Sequence, residues 1–290
     1  MIKNILLVGH KSFLGKKIKE SGQKNNYLKM FFLESYFNED DIYSLSKKNF
    51  YEKYFSKYPK IDVIISCLHI HKDKFKDELL LNTKIYENIL FFAKIQNINK
   101  FIYLSSINVS ENESLSYAYV KHRVECLFNN FNNFIIVRPS TIISINSQKN
   151  LRGGRDGNSF SMFEKIFNYN LPIPIIGDGK YLFTYCFIED ITNFIFLLVK
   201  EDILLNKKVN FFSGELMNFN TFIDYIGKIK NKNLLKIHLP LFFINLLCKF
   251  KIFNKKNIDN LLNQEIYYNY NNLIKEKIKI NQLSSLIKRQ

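Results

Sequence analysis

The stretch NILLVGHKSFLGKKI (residues 4–18) joins an apolar run, a glycine turn and an amphipathic continuation. In a strand–turn–helix unit, the first glycine permits the tight turn and the last lets the helix pack closely, while the helix N-terminal amides face a pyrophosphate. Gly9 and Gly15 have these places, and Ser12 stands where a middle glycine is usual. Two glycines also occur in ordinary turns, so a pyrophosphate site and a plain turn both stay open.

The rest of the first half repeats the alternation of short apolar runs with amphipathic segments. The runs IDVIISCLH (61–69), KFIYLSS (100–106) and FIIVRPSTII (134–143) are rich in Ile, Val, Leu and Phe without polar alternation. Parallel strands that are buried on both faces have this composition. Because helical segments separate the runs, the sequence predicts an α/β fold with a doubly wound parallel sheet.

The alternation of apolar runs and amphipathic segments ends at about residue 146. Glycine-containing loops and helical segments follow, with few strand candidates. We predict a dinucleotide-binding domain over residues 1–145, to which residues 184–200 return. Residues 146–183 and 201–290 are predicted to form a smaller, partly helical substrate-binding domain.

Composition narrows the class of protein. The chain has 290 residues, 47% of them hydrophobic, and a net charge of +16. Its lysines are spread along the sequence and arginine is scarce, so we interpret most of the charge as solvated surface and predict no nucleic-acid partner.

The four cysteines form no C-x-x-C pair, which predicts neither a metal site nor disulfides and fits a reducing cytoplasm. No apolar run is long enough for a membrane span.

The segment SLSYAYVKHRVE (residues 114–125) sets Tyr117 and Lys121 four positions apart, on one face of a predicted helix. An ammonium group favours the phenolate and lowers a phenol pKa from about 10, which would make Tyr117 a usable acid or base. Just upstream, FIYLSSINV ends a predicted strand in Ser105 and Ser106, whose hydroxyls can bind a reacting oxygen. Tyr-x-x-x-Lys alone is common in a lysine-rich chain, and the serines and glycine turn favour the chemical interpretation.

Glu34 follows the predicted second strand, where a carboxylate can accept hydrogen bonds from an adenosine ribose. A carboxylate there would repel a 2′-phosphate, which favours NAD over NADP. The alternative is a solvated glutamate in the acidic stretch that continues through residues 39–41.

In order and spacing these motifs resemble the short-chain dehydrogenase/reductase superfamily, in its extended, NAD-dependent epimerase/dehydratase branch that modifies nucleotide sugars. The resemblance runs from residue 2 to about residue 225. It rests on GHKSFLG, DVIISCLH, LNTKIYENIL, YLSS, YAYVKHRVE, VRPSTI and PIIGDGKYLFTYCFIEDI. It implies a Rossmann-like fold, NAD as cofactor with NADP less favoured, a nucleotide-sugar substrate, a cytoplasmic homodimer and a place in polysaccharide synthesis.

The resemblance also implies residue roles. Tyr117 would exchange a proton with a sugar hydroxyl, Lys121 would lower its pKa and bind the nicotinamide ribose, and Ser106 would hold the reacting oxygen. The cofactor would further contact Gly9, Ser12, Phe13, Leu14, Gly15, Glu34, Cys67, Leu68, His69, Asn82, Pro139 and Ser140. Thr141 and Asn158 would approach the sugar nucleotide. For His69, a role that only closes the loop is an equal alternative.

Several departures from the family pattern bear on the activity. Besides Ser12, Phe183 stands where many relatives place an arginine on the diphosphate, and Lys180 or Arg155 are the candidate substitutes. Ile107 and Asn108 follow Ser106 in place of the acid pair of dehydratases, which argues against dehydration.

Only ten residues separate Ser106 from Tyr117, as in sugar-nucleotide reductases with short connections. The leading hypothesis is an NAD-dependent nucleotide-sugar epimerase. An NAD(P)H-dependent 4-keto-sugar-nucleotide reductase and a catalytically inactive nucleotide-binding scaffold are the alternatives.

Overall fold

The computed structural model describes residues 2–33, 59–71, 75–112, 116–145, 151–153, 166–167, 169, 171–213, 215–250 and 277–287. The strands are β1 Lys3–Val8, β2 Leu28–Phe32, β3 Val63–Ser66, β4 Lys100–Leu104, β5 Phe134–Pro139, β6 Thr141–Ile145, β7 Leu151–Gly153, β8 Ile173–Ile176, β9 Leu182–Phe183, β10 Tyr185–Phe187, β11 Lys207–Phe211, β12 Met217–Asn218 and β13 Lys236–Leu239. The helices are α1 Phe13–Gln23, α2 Phe75–Ile95, α3 Ser116–Leu127, α4 Ile188–Lys200, α5 Phe219–Lys230, α6 Leu241–Lys249 and α7 Leu283–Ile287. Over these ranges, no helix is both long and apolar enough for a membrane crossing.

The chain divides into two compact units. The first is Met1–Arg138 with Thr192–Val209, and the second is Pro139–Ile191 with Asn210–Gln290. The sequence prediction placed this boundary after residue 145 and returned residues 184–200 to the first unit. The boundary precedes β6 because β6 pairs with β10 and β7 in a separate small sheet.

The first unit contains a six-stranded sheet in the order β11-β5-β4-β3-β1-β2. Its strands pair in parallel from β2 through β1, β3 and β4 to β5. This arrangement confirms the predicted Rossmann-like α/β fold. The order reverses between β1 and β3, and such a switch point opens a crevice at the carboxyl ends of the strands, where ligands of these folds bind.

The apolar runs form the central strands because both of their faces are covered. Every residue of β3 and β4 is buried. Lys100 begins β4 and is buried as well, since its Nζ donates to the carbonyl oxygens of Leu198 and Glu201 and pairs with Asp202. These acceptors lie at the C-terminal end of α4 and just beyond it, so the ammonium group ties this helix end to the sheet.

The second unit has an aromatic core. Phe183, Tyr185, Phe219 and Phe222 are buried there, and the rings of Phe183 and Phe222 have centroids 4.5 Å apart. Its strands form three small sheets, β10-β6-β7, β12-β9 and β13-β8. Short paired strands around packed rings give this unit a core of its own.

We predict that Gly15→Ala destabilises the fold, because the added Cβ would lie 2.1 Å from the carbonyl oxygen of Gly9, a backbone atom. The expected loss of unfolding free energy is about 2–3 kcal/mol in urea denaturation. Gly22→Ala on the same helix is the matched control, since its Cβ meets the flexible side chain of Met30 and alanine favours a helix. Equal stability of the two variants would contradict the close approach of α1 to the turn.

Candidate active site

The turn after β1 is closed by its two glycines. Gly9 has a φ of +84°, in the left-handed region that disfavours a side chain. Ser12 is the N-cap of α1, and its Oγ accepts a hydrogen bond from the Gly15 N–H at 3.0 Å. The serine therefore stabilises the helix start at the position where a middle glycine is usual.

The N-terminus of α1 offers a place for an anionic group. Phe13 and Leu14 belong to the first turn of the helix, whose amides have no acceptor within the helix itself. The helix dipole adds positive potential at the same end. The residues present fit a diphosphate, and this end of the helix lies at the switch point of the sheet.

The loop after β3, residues 67–71, is anchored by side chains of α2. The Asn82 Oδ1 accepts from the Ile70 N–H at 3.0 Å, and its Nδ2 donates to the carbonyls of Ile70 and Glu78, both at 2.8 Å. The Tyr86 hydroxyl donates to the Leu68 carbonyl at 2.8 Å. Asn82 was predicted to contact the cofactor. Because it is buried and bonded to this backbone, its contribution to cofactor binding would go through the position of the loop.

The glycine turn and this loop adjoin each other. The Cys67 N–H donates to the Val8 carbonyl at 2.9 Å, and a Cβ on Gly9 would lie 2.7 Å from the Leu68 nitrogen. The predicted cofactor residues Cys67, Leu68 and His69 thus lie beside the turn that precedes α1.

Tyr117 and Lys121 lie on one face of α3. The Lys121 Nζ is 5.9 Å from the centroid of the Tyr117 ring and 5.0 Å from that of Tyr103. The ammonium donates to the carbonyl of Leu104, the last residue of β4, at 2.9 Å. Tyr117 is 39% exposed, whereas Lys121 is 3% exposed. Tyr117 is therefore partly open to solvent, whereas the ammonium group of Lys121 lies in the interior at the end of β4.

Burial lowers the pKa of Lys121 from the ordinary lysine value of 10.5 to about 8, and the nearby acidic groups Cys67 and Glu125 offset only part of this effect. The side chain is still charged at neutral pH, so the fold keeps a desolvated cation at this point. Such a cation is costly, and costly ionisable groups in clefts are frequent at functional sites.

The two serines after β4 have different surroundings. Ser105 is buried and its Oγ donates to the Glu125 Oε1 at 2.6 Å, which commits this hydroxyl to the interior. Ser106 is partly exposed, and its Oγ accepts from the Asn108 N–H at 3.2 Å. Ser106, the predicted contact for the reacting oxygen, is therefore the serine whose hydroxyl lies closer to solvent.

Glu125 is a buried carboxylate that the sequence analysis did not single out. It accepts two hydrogen bonds from Arg138 and lies 3.4 Å from the Nζ of Lys208. Burial alone would raise the pKa of Glu125, but the bonds from Arg138 and Ser105 and the charges of Arg138 and Lys208 hold it below the usual value. Residues 117, 121 and 125 follow one another at helical spacing, so a single face of α3 carries all three groups.

Two histidines border Tyr117, and a glutamate lies beside them. The Tyr117 ring lies edge-on to His69 at 4.7 Å between centroids and stacks on His71 at 5.7 Å. The His69 Nε2 is 2.9 Å from the Glu78 Oε1. Burial, together with the charges of Lys121 and His71, lowers the pKa of His69 well below its usual value. His71 and Glu78 were missed from the sequence, where an H-x-H pair followed by an acidic helix start was the available signal.

The remaining predicted residues lie in the second unit or outside the described ranges. Pro139 is the last residue of β5 and Thr141 is the first residue of β6. Ser140 between them is buried, and its N–H donates to the Phe211 carbonyl. Phe183 packs in the aromatic core, which explains why an apolar ring stands where many relatives have an arginine. Lys180 is exposed and lies beside Asp178. Glu34, Arg155 and Asn158 lie outside the described residues, and their roles stay predictions.

The family model for the NAD dependent epimerase/dehydratase family matches residues 5–210, well over half of the chain. The chain belongs to this family. No curated protein matches the sequence significantly.

Solved structures share the fold at low sequence identity. UDP-glucose 4-epimerase from Thermotoga maritima is 15% identical over 82% of this chain and 85% of its own, with a TM-score of 0.64. UDP-glucuronic acid 4-epimerase from Bacillus cereus, in complex with NAD, is 19% identical over 82% and 87%, with a TM-score of 0.64. dTDP-4-dehydrorhamnose reductase from Bacillus anthracis, in complex with NADP, is 13% identical over 100% and 98%, with a TM-score of 0.70.

We predict that Lys121→Met changes the pH dependence of stability. The unfolded chain binds the lysine proton up to a pH of 10.5, whereas the folded chain releases it at about 8. The cost of burying the charge is therefore fully present below pH 8 and disappears as the pH rises through 10.5. Relative to Lys121→Met, the wild type should gain about 2–3 kcal/mol of unfolding free energy between pH 7 and pH 10, measured in urea.

Lys94→Met, at an exposed position of α2, is the control for general charge effects. The difference in unfolding free energy between this variant and the wild type should not change over the same pH range. If the difference for Lys121→Met did not change with pH either, the ammonium group of Lys121 would be solvated.

Proposed function

We propose that the protein is a nucleotide-sugar oxidoreductase that binds NAD and transfers hydride at a sugar carbon, with Tyr117 as the acid/base group. The observation that carries this proposal is the buried Lys121 ammonium beside the Tyr117 ring at the end of β4. Membership of the NAD dependent epimerase/dehydratase family supports the class of reaction. The NAD-bound UDP-glucuronic acid 4-epimerase supports the choice of cofactor and substrate class.

In this proposal each group of residues has one task. The amides of Phe13 and Leu14 hold a diphosphate at the N-terminus of α1, and the loop of residues 67–71 lines the cofactor. When bound, NAD supplies the hydride acceptor. Tyr117 takes the proton of the sugar hydroxyl and Ser106 holds the oxygen. Lys121 provides the positive charge that stabilises the phenolate of Tyr117.

The leading activity is epimerisation, in which hydride leaves the sugar and returns to the opposite face. A second candidate is a 4-keto-sugar-nucleotide reductase, which the short connection between Ser106 and Tyr117 favours. One dTDP-4-dehydrorhamnose reductase structure aligns with 100% of this chain, but a second one aligns with 82%, as the two epimerases do, so coverage does not separate the two activities. An epimerase retains NAD through turnover, while a reductase consumes reduced cofactor in proportion to product.

An inactive nucleotide-binding scaffold is the third possibility. The positions of Lys121 beside the Tyr117 ring and of Ser106 just after β4 argue against it, because a scaffold has no need of these three groups together. A role in polysaccharide synthesis and homodimer formation stay predictions from the family resemblance.

The first experiment is to release and identify the dinucleotide of the purified protein and then to screen UDP-, GDP- and dTDP-sugars. With NAD and no added reductant, conversion of one sugar to its epimer supports epimerisation. Loss of reduced-cofactor absorbance with a 4-keto sugar supports reduction. Bound dinucleotide without turnover of any sugar would support the scaffold and contradict the proposal.

We predict that Tyr117→Phe lowers the turnover number at least about 100-fold while the affinity for NAD changes little, because only the proton-exchanging hydroxyl is removed. Steady-state kinetics and fluorescence titration with the dinucleotide measure the two quantities. Tyr119→Phe is the matched control, since this tyrosine is on another face of α3 and should keep full activity. Unchanged turnover in Tyr117→Phe would remove Tyr117 from the mechanism.

A further inference from the structure

His69, His71 and Glu78 form a cluster that the proposed hydride chemistry does not use. Their ligand atoms all lie within 4.8 Å of one another. The His69 Nε2 and the His71 Nδ1 are 2.9 Å and 3.9 Å from the same oxygen, Oε1 of Glu78. The two imidazole rings meet edge-on with centroids 4.5 Å apart. Two nitrogen donors thus converge on one carboxylate oxygen.

This donor set matches a transition-metal site. Two histidines and one glutamate are a known ligand set of zinc sites that keep an open fourth position. Zinc–nitrogen and zinc–oxygen bonds of about 2.0–2.1 Å in tetrahedral geometry place the ligand atoms about 3.3 Å apart. The two separations from the Glu78 Oε1, 2.9 Å and 3.9 Å, lie on either side of this value, and all three ligand atoms are within 4.8 Å of one another. Zinc binding would bring the three side chains to the common spacing.

The backbone that carries the ligands is fixed by Asn82. Its side-chain amide bonds both the N–H and the carbonyl of Ile70, the residue between the two histidines. The same amide donates to the carbonyl of Glu78, so one buried side chain joins the histidine segment to the helical turn that carries the carboxylate. These bonds hold the backbone that carries the three candidate ligands in one arrangement.

The exposed fractions of the three side chains show how an ion could reach the cluster. Glu78 and His69 have side chains that are 7% and 8% exposed, whereas the His71 side chain is 37% exposed. Two ligands are therefore held in the interior, and the third lies at the surface, where an ion can enter.

We propose that His69, His71 and Glu78 bind one zinc ion, with a fourth position that takes water or another oxygen ligand. The ion would lie beside Tyr117, whose ring contacts both imidazoles. This site goes beyond the proposed function and does not rest on it, because zinc binding is measured without dinucleotide or sugar. It also departs from the sequence prediction of no metal, which considered cysteine spacing and not this H-x-H pair.

The test is calorimetric titration of the untagged full chain with zinc sulfate after treatment with EDTA and dialysis. The expected result is one zinc ion per chain and a rise of the Tm in zinc. His71→Ala should weaken zinc binding about 100-fold or more, because it removes a direct ligand. This side chain is partly exposed, so the variant is expected to fold, and its Tm without zinc checks that it does.

Matched variants separate this site from others in the chain. His122→Ala and His238→Ala remove histidines on other elements and should bind zinc as the wild type does. Glu78→Gln keeps a hydrogen-bond acceptor near His69 but removes the anionic ligand, and it should bind zinc more weakly. Absence of zinc binding by the wild type, or wild-type affinity in His71→Ala, would overturn the proposal.

Discussion

The central feature of the first unit is an ammonium group held out of water. Lys121 extends from α3 to the end of β4, where the Leu104 carbonyl accepts its hydrogen bond and the rings of Tyr103 and Tyr117 lie against it. Burial of the charge lowers the lysine pKa to about 8, so the desolvation of this charge opposes folding at neutral pH. Under the proposed function, the neighbour that uses this positive charge is the phenol of Tyr117.

One face of α3 connects this cation to the rest of the site. Tyr117 lies against the histidines of the loop after β3, and Lys121 holds the end of β4. One helical turn further, the buried carboxylate of Glu125 accepts a hydrogen bond from Ser105 and pairs with the partly buried Arg138. Loss of the arginine would leave this buried charge less well compensated, which is strongly destabilising, so the pair helps to hold this face of the helix in place. A rigid element is what a proton-exchanging group needs to keep its position.

Sequence patterns over a few neighbouring residues predicted the strands, the glycine turn and the shared helix face. The buried parallel strands followed from unbroken Ile, Val, Leu and Phe runs, and the Gly9 to Gly15 turn followed from its spacing. The common face of Tyr117 and Lys121 followed from helical periodicity. These features are set by backbone geometry over a few residues.

Features that depend on a distant partner could not be predicted in the same way. Ser105 and Ser106 are indistinguishable in the sequence, and only the carboxylate of Glu125 decides which hydroxyl is committed to the interior. Asn82 was predicted to contact the cofactor, and the sequence does not show that its amide also bonds the backbone of the loop after β3. Phe183 was interpreted as the loss of an arginine, and the sequence does not show that its ring packs on Phe222. In each case the partner is tens of residues away or on another element.

The most direct test of the account is a crystal structure of the protein with NAD. We expect the diphosphate on the amides of Phe13 and Leu14, and the nicotinamide ribose within hydrogen-bond distance of the Tyr117 hydroxyl and the Lys121 ammonium. A dinucleotide bound away from the Gly9 turn, or a nicotinamide ribose out of reach of both side chains, would contradict the account.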